Sequence, residues 1–254
     1  MKDHMGKSWR KVLIVFFWIM IWQLAAAAID NHIIIVGPWE TAAAIGRLVP
    51  SGEFWRSIAS SFGKISLGFA AAFGAGAALG SLGFRFPVFS EFLEPVMTLL
   101  KTIPVASFVI LALIWAGSKN LSILIAFLVV LPMIYVNTLA GLKSTDVKLL
   151  EMAKVFAMTP WKKIRYIYVP ALAPYLISSC RIALGMSWKS GVAAEVIGVP
   201  GHSIGEKLYL SKIYLNTADL LAWTFVIIAI SALFEQLVLR LLSCLAPKGG
   251  FHES

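Results

Sequence analysis

Lys64, Lys101, Arg181, Lys189 and Glu195 are ionisable residues set in otherwise apolar sequence. A charge at membrane depth is costly and faces a cavity or a partner rather than lipid, so such residues point to a transport pathway. Four of the five are cationic, which suits an anionic solute. Arg181, Lys189 and Glu195 share one apolar stretch and are the candidate pathway residues. Two other arrangements fit the same residues. Long side chains can snorkel to the interface, and a cation can pair with an acid across subunits, as Lys189 with Glu195 of a neighbouring helix.

Bond-making chemistry finds little to work with. His4, His32, His202 and His252 are widely spaced in polar segments and suggest neither a metal site nor a catalytic group. Cys180 and Cys244 lie in apolar stretches and build no disulfide framework or zinc spacing. The string Gly74-Ala-Gly76-Ala-Ala-Leu-Gly80 invites a nucleotide reading. It is not G-x-G-x-x-G, however, and it lies inside an apolar run rather than after a strand. Gly76 and Gly80, with Gly83 and the surrounding alanines, read instead as a close helix-packing face. The chain has no G-x-x-x-x-G-K-[ST], no H-E-x-x-H and no nucleophile beside a base. It is not expected to be an enzyme, and if transport is ATP-driven the ATPase must be another subunit.

These residues must be positioned by membrane helices. The chain has 254 residues, 59% hydrophobic and 14% charged, with a mean hydropathy of +0.83. A soluble domain carries roughly 25% charged residues, so soluble, disordered and nucleic-acid-binding classes are excluded despite the net charge of +9. Spans of about 20 residues are the useful unit. Six are expected: residues 12–29, 57–84, about 93–116, 121–142, 171 to about 197, and 220–245. Pro104 and Pro132 interrupt the third and fourth, and Pro174 enters the fifth; a kink is the commoner outcome in each case. The first run follows Lys2, Lys7, Arg10 and Lys11, and Ala25 and Ala27 suit a signal-peptide cleavage site. It is long for that role, and Trp18 and Trp22 are bulky there, so an uncleaved helix is the favoured reading.

Loop charges set the orientation. Residues before Val12 are basic, and residues 143–168 hold six Lys/Arg against Asp146 and Glu151. The segments after the first and fifth spans are neutral to acidic. Six spans with both termini in the cytoplasm satisfy these asymmetries.

The loop over residues 143–170 has structure of its own. Asp146 can cap a helix beginning at Val147. Leu149, Met152, Ala153 and Phe156 follow at helical spacing as one apolar stripe, with Lys148, Glu151 and Lys154 opposite. Thr159-Pro160 reads as a second cap with proline in the first helical position, and the helix over 161–169 is expected to stop at Pro170. An amphipathic hairpin lying in the headgroups would explain this pattern.

The same residues carry a resemblance. Glu151-Met-Ala153, then Ala157, then Ile167-Tyr-Val-Pro170 resembles the EAA loop of ABC importer permeases, whose pattern is E-A-A, three residues, G, nine residues, I-x-L-P. Ala157 stands in place of the glycine, so the turn is expected not to need a positive φ. Asn137-Thr138, Gly141, Ser144 and Asp146 ahead of the loop resemble the nitrate/sulfonate/taurine branch. So do Ala183-Leu184-Gly185, Trp188 and Ala194-Glu195. The likeness covers about residues 54–242.

The resemblance implies an all-α integral membrane protein of the type I importer (methionine-permease-like) fold, residues 1–254 forming one permease domain. It implies a bacterial cell membrane location and a pairing of two permease subunits, a homodimer being expected and a paralogue partner left open. Two copies of a cytoplasmic ABC ATPase would hold ATP and Mg, with no cofactor on this chain. Glu151 would make a polar contact in a groove of that ATPase, and Leu149, Met152 and Phe156 would seat the helix, with Ala153, Ala157 and Pro170 shaping the loop. An extracytoplasmic solute-binding protein would deliver a small anion of the sulfonate, nitrate or taurine kind. A heterocyclic vitamin precursor is the alternative cargo. A secondary transporter is the alternative class, for which an inverted repeat would be needed and none is visible.

Overall fold

The computed structural model describes residues 2–29, 31 and 33–245, with no strand among them. His32 and His252 lie outside the described residues, as does the side chain of His4. In chain order the helices are α1 (Lys2–Ile29), α2 (Pro38–Leu48), α3 (Gly52–Arg85), α4 (Pro87–Thr102), α5 (Val105–Ala116), α6 (Leu121–Lys143), α7 (Val147–Val155), α8 (Pro160–Lys163), α9 (Val169–Gly198), α10 (Ile204–Ile213) and α11 (Thr217–Leu245). A π-helical turn, Ile164–Tyr168, joins α8 to α9. Starts follow local chemistry. Pro38 and Pro87 open α2 and α4, and the Ser51 hydroxyl caps α3 by accepting the Phe54 N–H at 3.2 Å.

Among the described residues five helical runs are long and apolar enough to cross a membrane: Trp9–Ile29, Gly52–Arg85, Leu121–Lys143, Pro160–Gly198 and Thr217–Leu242. The expected third span is instead a broken pair. α4 and α5 meet at an angle of 106° across Ile103–Pro104, so the count is six when the pair is taken as one span. Pro104 has no N–H to continue the ladder and holds Ile103 extended, at φ −67° and ψ 130°. Pro132 does not interrupt its span. It is buried inside an unbroken α6, the helix that packs against both α3 and α9. Pro174 likewise sits inside a continuous α9.

Pro170 does not stop a helix either. The Val169 N–H reaches back to the Ile164 carbonyl across the wide π turn, so the missing donor of Pro170 falls where the ladder is already changing register. The expected second loop helix therefore runs on as one 39-residue helix, Pro160–Gly198.

α3, α6 and α9 form the centre of the bundle. Lipid is as apolar as leucine, so helices in a bilayer associate through close packing rather than water exclusion. The glycines of α3 supply that closeness. A methyl group added at Gly68 would sit 2.5 Å from the Ile123 carbonyl oxygen, and one at Gly76 would sit 2.9 Å from Ile134 Cβ. Gly80 meets Thr138 in the same way, at 2.7 Å, and Gly83 faces Tyr135. This is the expected packing face. Trp188 of α9 fills the remaining space against Phe62 and Phe234. α1 behaves differently. Its described side chains are mostly exposed, and it is tied down by Trp22, which donates to the Val36 carbonyl at 3.0 Å and stacks on Phe225.

Candidate functional site

The loop between α6 and α9 is built largely as its caps dictate. Asp146 Oδ1 accepts the Lys148 N–H at 2.9 Å and starts α7. At the other end Ala157 N–H donates to the Lys154 carbonyl and Met158 N–H to the Ala153 carbonyl, at 3.1 and 2.9 Å. This pair of bonds is a Schellman closure, which requires the residue after the cap to be left-handed. Ala157 is left-handed, with φ +45°. The expectation drawn from the glycine-to-alanine change is therefore overturned. Alanine takes the glycine's conformation and bears the Cβ–carbonyl crowding, about 1 kcal/mol or more.

The apolar stripe of α7 divides. Ala153 is fully buried, whereas Leu149 and Met152 are each 43% exposed and Phe156 is 72% exposed. Glu151 is exposed beside them, and Pro170 is exposed beyond the π turn. Val147 and Val155 extend this open apolar surface, although their side chains stand off the i, i+3, i+4 stripe that periodicity picks out. Ile167 is buried beneath the loop and anchors it.

Arg181 and Lys189 fall on one uncovered row of α9, where Arg181, Gly185, Lys189 and Ala193 follow at intervals of four. Glu195 does not join them. It is on the covered side of the helix, wholly buried, and Ser61 Oγ of α3 donates to its Oε2 at 2.6 Å. The Gly205 N–H, in the first turn of α10, donates to the same oxygen at 3.3 Å. Lys64 is half-buried one turn along α3 from Ser61. Lys101 is exposed at the end of α4. The structure thus leaves Arg181 and Lys189 exposed on one row of α9 and closes Glu195 in. Sequence reading alone does not single out Ser61, which is one of four serines between residues 57 and 66.

A family model described as binding-protein-dependent transport system inner membrane component matches residues 68–248. The chain belongs to this family of transport permeases. The permease is 26% identical to the SsuC protein of Bacillus subtilis, whose name assigns it to aliphatic sulfonates transport, over 91% of this chain and 84% of that one. It is also 26% identical to CmpB of Synechocystis, named as a bicarbonate transport system permease, over 77% of this chain and 70% of that one. Among solved structures, a chain of the MetNI methionine ABC transporter in an inward-facing conformation superposes with a TM-score of 0.54 at 13% identity. The match covers 80% of this chain and 96% of that one. The permease therefore has the all-helical type I importer fold and is a multi-pass membrane protein.

Proposed function

We propose that this permease carries a small inorganic or organic anion, of the sulfonate, nitrate or bicarbonate kind, through an ATP-driven importer. Residues 1–254 act as one permease domain, paired with a second copy of the chain across the Arg181/Lys189 face of α9. Two cationic side chains on one uncovered helical row lower the energy of an anion passing between the halves. The names of the two relatives, sulfonate and bicarbonate, support that cargo. Both termini lie in the cytoplasm, where the basic residues of the N-terminal segment and of the α6–α9 loop collect. A solute-binding protein delivers the anion at the opposite face.

The observation that carries this reading is α7. A capped helix ends in a strained Schellman turn and presents Leu149, Met152 and Phe156 outward, with Glu151 beside them. An apolar helix face of this kind seats in a groove of a partner. The partner is a cytoplasmic ABC ATPase, present in two copies and holding ATP and Mg. Its closure pulls on α7, and the unbroken Pro160–Gly198 helix transmits the pull into the bundle. Glu151 supplies the polar contact, Ala153 and Ala157 set the height of α7, and Pro170 follows the π turn.

The test is co-purification of tagged full-length chain, expressed with its neighbouring reading frames, in mild detergent. Recovery of an ATPase bearing a Walker motif, lost in Glu151→Lys at unchanged expression, is the expected result. Recovery of the chain alone, moving solute in liposomes without ATP, would replace this reading with a secondary transporter.

A further inference from the structure

The end of α9 farthest from α7 is fastened in an unusual way. After Gly198 the chain reverses through Val199 and His202, both left-handed at φ 45° and 56°, and α10 folds back along α9. Non-glycine residues hold such conformations only where surrounding contacts over-determine them, and a β-branched valine resists most. Two sets of contacts do so here. The first is local: Glu206 Oε2 accepts the His202 N–H at 2.7 Å, and Ser203 Oγ accepts the Glu206 N–H at 3.0 Å.

The second set spans three helices. The first N–H groups of a helix have no partner within it. In α10 two of them end on residues of other elements. The Ile204 N–H donates to Ser61 Oγ of α3 at 2.9 Å, Ser61 Oγ donates onward to Glu195 Oε2 of α9 at 2.6 Å, and the Gly205 N–H donates to the same oxygen. Glu195, Ser61, Ile204 and Ser203 are all wholly buried, and Gly205 lies so close to Glu195 that no Cβ would fit there. Separating hydrogen-bonded groups in such surroundings leaves buried polar atoms unpaired, which is costly.

We infer that Glu195 and Ser61 are positioning residues, locking the N-terminus of α10 to α3 and α9 so that α10 and the α7 loop sit at opposite ends of one helical rod. That rod is Pro160–Gly198, 39 residues, or about 58 Å at 1.5 Å per residue. The lock makes a displacement of α10 a displacement of α9, and through α9 of the coupling loop. This deepens the importer reading and rests on it for its transport consequence; the lock itself does not.

Glu195 Oε1 and Ser122 Oγ of α6 are buried without a hydrogen-bond partner among the described residues. An amide at position 195 would keep an oxygen for Ser61 and Gly205 and place its NH2 where the unpartnered Oε1 lies. Glu195→Gln therefore retains the lock, whereas Glu195→Ala and Ser61→Ala lose it.

The experiment is hydrogen exchange, read by mass spectrometry, on the full-length chain in nanodiscs. Peptides over 203–213 are expected to exchange at least about tenfold faster in Ser61→Ala and Glu195→Ala, with peptides of α6 unchanged and Glu195→Gln close to wild type. Unchanged α10 exchange in Ser61→Ala, or Glu195→Gln opening as far as Glu195→Ala, overturns the assignment. If Glu195→Ala does not insert, Ser61→Ala decides. With the ATPase and binding protein present, Ser61→Ala is expected to cut uptake at least about tenfold while still co-purifying with the ATPase. Normal uptake alongside faster exchange would remove the positioning role. A wild-type chain showing no ATP-dependent uptake would instead sink the importer reading and leave exchange to judge the lock.

Discussion

The Met158 N–H donates to the Ala153 carbonyl at 2.9 Å, closing α7 over a left-handed alanine where the family pattern has glycine. Ala153 is also the one residue of the α7 stripe that is fully buried, so the same residue closes the helix end and marks its covered side.

Relief of that turn is measurable. Ala157→Gly removes about 1–2 kcal/mol of left-handed crowding and adds roughly 0.4–1 kcal/mol of unfolded-state entropy, a net stabilisation of about 0.5–1 kcal/mol. Amide exchange over α7 should slow accordingly. Faster exchange in Ala157→Gly would mean that the turn is not under strain.

The exposed stripe predicts a split between stability and partnership. Phe156→Ala removes a side chain that is 72% exposed, so the unfolding free energy of the isolated chain should stay within about 0.5 kcal/mol of wild type. ATPase recovered with the chain should fall at least about tenfold, as for loss of an anchor in a groove. Equal losses in both measurements would place Phe156 in the fold rather than at a docking face.

Two glycines two residues apart should behave oppositely. A methyl group at Gly74 meets nothing within 4 Å among the described residues, so Gly74→Ala is expected to be neutral or to stabilise α3 by up to about 1 kcal/mol. At Gly76 the same methyl meets Ile134 and the Leu131 carbonyl, and Gly76→Ala is expected to cost about 1–3 kcal/mol. Thermal unfolding in detergent compares them. Similar midpoints for the two variants would contradict the tight α3–α6 contact.

The cationic row of α9 makes a substrate prediction. Lys189→Gln and Arg181→Gln should each lower kcat/KM for anion uptake by about tenfold, the equivalent of about 1.4 kcal/mol of lost attraction. Lys189→Arg should retain most of the activity. Both side chains are exposed in the single chain, so folding should be unaffected. Undiminished uptake in the double neutral variant would remove this row from the pathway.

Much of this molecule can be read along the chain, because the determining physics is local. Apolar run lengths identify the spans, Asp146 caps α7, and the spacing of Gly76, Gly80 and Gly83 marks a packing face. Each depends on residues within a few turns. The corrections arise where burial, or the hydrogen bonds the backbone makes, decides rather than residue type and spacing. Pro170 reads as a helix end, yet the π turn ahead of it lets the helix continue over the buried Ile167. Ala157 reads as a residue that avoids positive φ, yet the bonds to Ala153 and Lys154 impose one. Glu195 reads as a pathway charge because helical periodicity says which residues share a face but not what covers that face. Its partners are Ser61, 134 residues earlier, and the start of α10, ten residues later. Burial of a side chain is a property of the whole bundle, so only the tertiary structure could turn Arg181 and Lys189 outward and close Glu195 in.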